Sequence, residues 1–166
     1  RRRAEEALRQ SEQQYRELFE NANDIIFILD FDGRILSGNA AAAKTYGYEP
    51  EDLKGMNIAD LLHYEDLSMV NELLQNKSDD IKLQTPHEFR THTKDGETVW
   101  LEVNTRIMKE NGRNVSIHGI ARNITERKRM EEDLKKRERE LSEKSRNLED
   151  ANTALKVLLK RREEDK

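Results

Sequence analysis

The side chains best suited to metal binding or proton transfer are four histidines, His63, His87, His92 and His118, and no cysteine accompanies them. Their spacing does not fit metal ligation: His87 and His92 are five residues apart in an extended stretch, so they face opposite sides of it. No H-E-x-x-H, G-x-S-x-G or glycine-rich phosphate loop is present. Without cysteine there is no disulfide, thiolate metal site or cysteinyl adduct with a chromophore. No catalytic residue and no metal site are therefore expected, and His63 is assigned to packing or to capping a turn. The chemistry of the chain must come from shape, apolar surface and hydrogen bonding.

The charge distribution shows where that shape is built. Charged residues make up 39% of the 166 residues and hydrophobic ones 34%, a balance close to that of disordered chains if it were uniform. It is not uniform. Residues 125–166 hold 14 Lys and Arg and 12 Asp and Glu, whereas 24–124 carry alternating apolar segments and turn signals. A domain core of about 100 residues follows, enough for a single small core. No apolar run reaches the roughly 18 residues of a bilayer span, and no signal peptide is visible, so a cytoplasmic location without a membrane segment is expected. The net charge of −4 gives no basic footprint, so direct contact with nucleic acid is not expected from this stretch.

The elements can be read in order. Residues 1–22 form an amphipathic helix with a seam at Ala4, Leu8, Ser11, Tyr15, Leu18 and Ala22. Residues 24–30 form a buried strand, and Asp32-Gly33 turns the chain into a second. Asn39 caps a helix that ends near Gly47, Pro50 opens another, and Asn57 caps a third. Residues 65–75, with Leu67, Val70, Leu73 and Leu74, form a fourth helix, and 76–84 a loop. Strands follow at 87–93, 98–108 and 115–122, joined by the turns at Lys94 to Gly96 and Asn111-Gly112. In the last strand Val115, Ile117, Gly119 and Ala121 are assigned to one face, and Ser116, His118, Ile120 and Arg122 to the other. The period then changes at Thr125, where a charged helix begins with Leu134, Leu141, Leu148 and Leu155 spaced by sevens. Met130, Arg137, Lys144, Ala151 and Leu158 fall on the second seam position, so a coiled coil weakest in its middle is expected. This order predicts an α+β domain, a five-stranded antiparallel sheet with short helices on one side. The expected division is 1–22 linker helix, 23–124 core and 125–166 coiled-coil helix.

Five segments in this order, D-I-I-F-I-L-D-F-D-G-R-I-L-S-G-N-A-A-A from Asp24, Y-G-Y-E-P-E-D-L-K-G from Tyr46, H-Y-E-D from His63, K-D-G-E-T-V-W-L-E from Lys94 and N-I-T-E-R from Asn123, resemble a PAS (sensory-box) domain. The likeness runs from about Ser11 to Arg129. Two positions depart from the family pattern: Asn123 stands where an Asp is usual, and Tyr64 where a Pro often follows the histidine. Asn123 removes a charge, so neutral hydrogen bonding or capping is expected to hold the junction. The chain also repeats itself. R-R-R-A-E-E-A-L-R-Q-S-E at Arg1 lies on R-K-R-M-E-E-D-L-K-K-R-E at Arg127, so Arg1 is expected to lie in the exit helix of a preceding similar module.

The resemblance implies a sensory and dimerisation module of a bacterial-type multi-domain signal transduction protein. A small ligand or partner would be sensed in a pocket with contacts from Phe27, Asn39, Phe89, Arg90, Leu101, Ile117 and His118. Further walls come from Ile26, Ile28 or Leu29 and from the helices at Ala43, Leu61 and Val70. Asn123, Thr125 and Glu126 would relay the change. Leu8, Tyr15, Leu18, Leu134, Leu141, Leu148 and Leu155 would form the seam of a homodimer. Haem-binding relatives use a histidine on the helix before the third strand, which 65–75 lacks, and flavin photosensors of the cysteine-adduct type need a cysteine, so neither cofactor has a positive sign. No histidine follows Arg127, so a phosphorylated helix would lie elsewhere; the output is expected in a further domain of the same polypeptide, of sensor kinase or LuxR-type regulator kind. The alternative is a ligand-free, constitutive interaction module.

Overall fold

A computed structural model of the chain describes residues 1–75 and 86–165. The loop expected at 76–84 lies outside them. Helix α1 (Arg2–Asn21) leads into β1 (Ile25–Leu29) and β2 (Ile35–Gly38). Three short helices follow: α2 (Ala40–Tyr46), α3 (Pro50–Leu53) and, after 3-10 turns at Ile58–Asp60 and Tyr64–Asp66, α4 (Leu67–Gln75). Strands β3 (His87–His92), β4 (Thr98–Glu110) and β5 (Arg113–Asn123) precede the 40-residue helix α5 (Thr125–Glu164). The chain divides into two compact units, Arg1–Thr125 and Glu126–Lys166.

Local chemistry sets most boundaries. Asn39 Oδ1 accepts from the Ala42 amide at the start of α2, and Gly47 ends that helix in the left-handed region at φ 76°. Pro50 occupies the first turn of α3, where its missing N–H costs nothing. Asn111 and Gly112, at φ 52° and 77°, form the hairpin turn between β4 and β5 that needs positive φ at both central positions.

The sheet is antiparallel throughout, in the order β2-β1-β5-β4-β3. Its centre is a pairing between the first and last strands, with Phe27 opposite Gly119 and Leu29 opposite Ile117. The inner face carries Ile25, Leu29, Phe89, Leu101, Val103, Ile117 and Ala121, packed against Ala42, Tyr46, Leu53, Leu61, Leu62 and Val70 from the helical layer. Each Val, Leu, Ile or Phe among them contributes about 1.5–3 kcal/mol by leaving water.

One strand position differs from the sequence reading. Val115, assigned to the core face with Ile117, is 46% exposed. Met108 pairs with Ser116 but Lys109 with Asn114, so Val115 is the extra residue of a bulge and the inside-outside alternation resets there.

Asn39 ties the first helix to this core, and its side chain is 1% exposed. Its Oδ1 accepts from the amides of Ile26 (3.1 Å) and Ala42 (3.2 Å), while Nδ2 donates to the carbonyls of Phe19 and Asp24, both at 3.0 Å. The end of α1, the start of β1 and the first turn of α2 thus share one amide, used to capacity in the only orientation that matches donors to acceptors. Glu20 adds a bond from the Ala40 amide to its carboxylate at 3.0 Å.

Asn39→Ala is therefore expected to cost about 3 kcal/mol in urea unfolding, since several buried groups lose their partner. Asn39→Asp should also destabilise, because a carboxylate would face two carbonyl oxygens. Losses below about 1 kcal/mol for both would contradict this account.

Candidate functional site

Between the inner face of the sheet and the helical layer lies a cavity of about 130 Å³. Its floor is Phe27 and Leu29 of β1, Phe89 of β3, Leu101 of β4 and Ile117 of β5; its roof comes from Ala42, Leu53, Leu62, Val70 and Leu74. The strands supply alternate residues because only every second side chain points inward.

Two buried hydroxyls, Tyr46 and Thr91, reach this wall, and both of their protons are committed. Tyr46 Oη and Thr91 Oγ1 lie 2.8 Å apart, and Thr91 Oγ1 donates to the Val99 carbonyl at 2.9 Å, so Tyr46 is the donor of the pair. Burial pushes the Tyr46 hydroxyl up to about 12 against a smaller opposite effect of the Thr91 bond, so it stays neutral. Among the described residues, no buried side-chain nitrogen or oxygen is left without a partner.

Of the residues expected at the pocket, Phe27, Phe89, Leu101 and Ile117 meet on the wall, and Asn39, Arg90 and His118 do not. Asn39 is spent on the backbone bonds described above. Arg90 follows Phe89 on β3 and so faces outward, where it donates to Asp66 through Nε (3.3 Å) and Nη2 (3.0 Å), pairs with Glu65 at 2.8 Å and lies 5.5 Å from the Trp100 ring centre. His118 faces outward for the same reason, opposite Ile28 and Arg106. Ile26, Ile28 and Ala43 are not lining residues either, whereas Leu29, Leu61 and Val70 are. The Tyr46–Thr91 pair was missed, and nothing in the sequence marks two residues 45 apart as partners.

Partial burial alone would raise the Asp66 carboxyl. The Arg90 side-chain and backbone hydrogen bonds, with the charges of Arg90 and His63, outweigh it and hold the group below the ordinary carboxylate range. His63 itself caps the turn before Asp66, its Nδ1 accepting from the Glu65 amide at 3.3 Å.

Next to the cavity lies the end of β5. Leu101, a wall residue, is the cross-strand partner of Asn123. The neighbouring Trp100 accepts from the Ile124 amide at 2.9 Å and donates its own N–H to Thr125 Oγ1 at 3.0 Å. Thr125 Oγ1 donates in turn to Asn123 Oδ1 at 2.6 Å, and that oxygen also accepts the Thr125 amide at 3.1 Å. A chain of neutral hydrogen bonds occupies the position where the resemblance would have an aspartate. Glu126 is the first residue of the second unit.

A family model described as PAS domain matches residues 23–126. The chain belongs to the PAS domain family. A PAS domain of an HTR-like protein from Haloarcula marismortui superposes with a TM-score of 0.66 at 28% identity, over 75% of this chain and all of that one. A domain of a sensory box sensor histidine kinase/response regulator from Geobacter sulfurreducens does so with a TM-score of 0.56 at 27% identity, over 69% of this chain and 96% of that one. The methyl sulfide methyltransferase-associated sensor of Methanosarcina acetivorans is 31% identical over 131 residues, 77% of this chain, and the chain spans 13% of that relative's length. Among the described residues no helix of this PAS protein is long and apolar enough to cross a membrane. No group of three or more His, Asp or Glu among them is placed to hold a metal.

The depressed Asp66 carboxyl sets an acid dependence. Its contribution is complete above the unfolded value of about 4 and is lost as pH falls through the lower folded value. Stability measured by urea unfolding from pH 6 downward is expected to fall less steeply in Asp66→Asn than in the unmodified chain. Parallel acid limbs would show that the Arg90 pair does not stabilise the fold.

Proposed function

We propose that this PAS domain is a sensory and dimerisation module that passes a change at the cavity through α5 to an output domain. The observation that carries the reading is that Leu101 is both a cavity wall residue and the cross-strand partner of Asn123. Ile117, on the same floor, lies on the strand that ends at the same residue. A displacement of either side chain reaches the hydrogen bonds of Asn123 and Thr125 through one strand pairing, because a packed sheet transmits strain rather than absorbing it. Asn123 and Thr125 are then the relay, with Glu126 the first α5 side chain to follow it.

The second half of the proposal is pairing with another copy. Along α5, Leu134, Leu141, Leu148 and Leu155 are 55–66% exposed, and α5 buries no residue of its own. Leu8, Tyr15 and Leu18 of α1 are 60–75% exposed. A helix of 40 residues, about 60 Å long, that presents leucines every seventh position fits a second helix of the same sequence. Such a pair has discrete packings, so a small bias at its origin shifts a population rather than bending a rod. The chain spans a small part of the sensor it resembles, which suits a module whose output lies elsewhere in a longer polypeptide.

Two measurements test the two halves. Light scattering is expected to give twice 19.5 kDa for the unmodified chain and a single 19.5 kDa for the Leu141→Ser, Leu148→Ser double variant; an unchanged mass in the variant removes the seam. For the relay, Ile117→Val trims the wall at a cost of about 1 kcal/mol. It is expected to raise amide exchange over residues 125–129 relative to α1, and to have no such effect in a Thr125→Val background. Equal exchange with and without the trim speaks against the relay.

A further inference from the structure

We propose that the occupant of the cavity is a small, uncharged, apolar molecule of about six to eight non-hydrogen atoms, a monocyclic arene such as toluene being the type. The inference rests on the sensory reading of the same cavity and names its ligand class. The size of the cavity limits the occupant. A volume of about 130 Å³ is close to that of an engineered apolar cavity of about 150 Å³ in another protein, which takes benzene. Pockets for drug-sized ligands start at about 300 Å³, so haem and flavins exceed this cavity several times over.

The polarity of the lining agrees. Among the described residues, no carboxylate, ammonium or guanidinium stands on the wall. The two buried hydroxyls have committed both protons, Tyr46 to Thr91 and Thr91 to the Val99 carbonyl, so neither has a donor left for an anion or a carbonyl ligand. The other polar lining groups, Thr105 and His87, are half-buried rather than enclosed. A carboxylate entering this space would lose its water without replacement, whereas a methyl or a ring loses nothing. Arg90, the cation that would have suited an anionic ligand, is held on the opposite face by Asp66 and Glu65.

A close contact between β1 and β5 keeps the shape. The far end of the Phe27 ring lies against Gly119, so that any Cβ at that position would clash with its Cζ, Cε1 and Cε2. Glycine lets the Phe27 ring approach β5 this closely as part of the floor. Gly119→Ala must drive the ring off β5, and the open side is the cavity.

Titration of the methyl-labelled chain with toluene, followed by NMR, tests the proposal. Saturable shifts are expected at the wall methyls of Leu29, Leu101 and Ile117, with none on titration with benzoate at the same concentrations. Gly119→Ala is expected to weaken toluene binding roughly tenfold or more, the effect of one misplaced methyl group in an apolar pocket. Absence of shifts up to the solubility of toluene, shifts centred instead on Ile120 or the α5 leucines, benzoate binding as tight as toluene, or unchanged affinity in the glycine variant would each overturn it. Should that variant fail to fold, the mapping on the unmodified chain decides. Toluene that shifts the wall methyls but leaves amide exchange at 125–129 unaltered would uphold the ligand class and count against the relay, so the two readings fail separately.

Discussion

The contact between Phe27 and Gly119 governs the geometry of the domain. It lies in the pairing of β1 with β5, which joins residues 92 positions apart and places the last strand in the centre of the sheet. Closing so long a loop is costly in chain entropy, and the return is a continuous inner face from Ile25 to Val103. Because β5 is central, it borders β1 on one side and β4 on the other, so the floor residues Phe27, Leu29 and Leu101 lie on strands paired with the one that ends at Asn123. An edge position for β5 would separate the cavity from the junction.

Polar chemistry is arranged around this apolar centre so that, among the described residues, no buried side-chain nitrogen or oxygen is left over. Asn39 satisfies α1, β1 and α2 together, Tyr46 and Thr91 satisfy each other, and Arg90 is drawn outward by two carboxylates. At the junction, Asn123 keeps the acceptor geometry of an aspartate without its charge, so the Trp100–Thr125–Asn123 chain depends on distance and direction more than on ionic strength. Neutral, directional bonds of this kind are sensitive to small displacements of the strand that carries them.

Much of this was legible in the residues. The hairpin at Asn111-Gly112, the caps at Asn39 and Asn57, the proline that opens α3 and the period change at Thr125 each have a local cause, and each stands where the sequence puts it. The alternation of the strands also held the signal that Arg90 and His118 cannot share a wall with their neighbours Phe89 and Ile117, since adjacent strand residues face opposite ways. Non-local choices were not legible. The β1–β5 pairing, the Tyr46–Thr91 bond and the grip of Asn39 on the end of α1 join segments whose proximity no local propensity dictates. The bulge at Val115 is a further case, for it depends on the register that β4 imposes.

The central claim is that the state of the apolar cavity biases the pairing of α5. The chain has no cysteine, so Ser142→Cys, one position beyond Leu141 and off the leucine seam, places a single nitroxide label on each helix. Pulsed electron paramagnetic resonance on the labelled chain is expected to give an intermolecular distance distribution that shifts when toluene is added. An absence of intermolecular coupling, or a distribution that stays the same when toluene saturates the cavity methyls, would contradict the account.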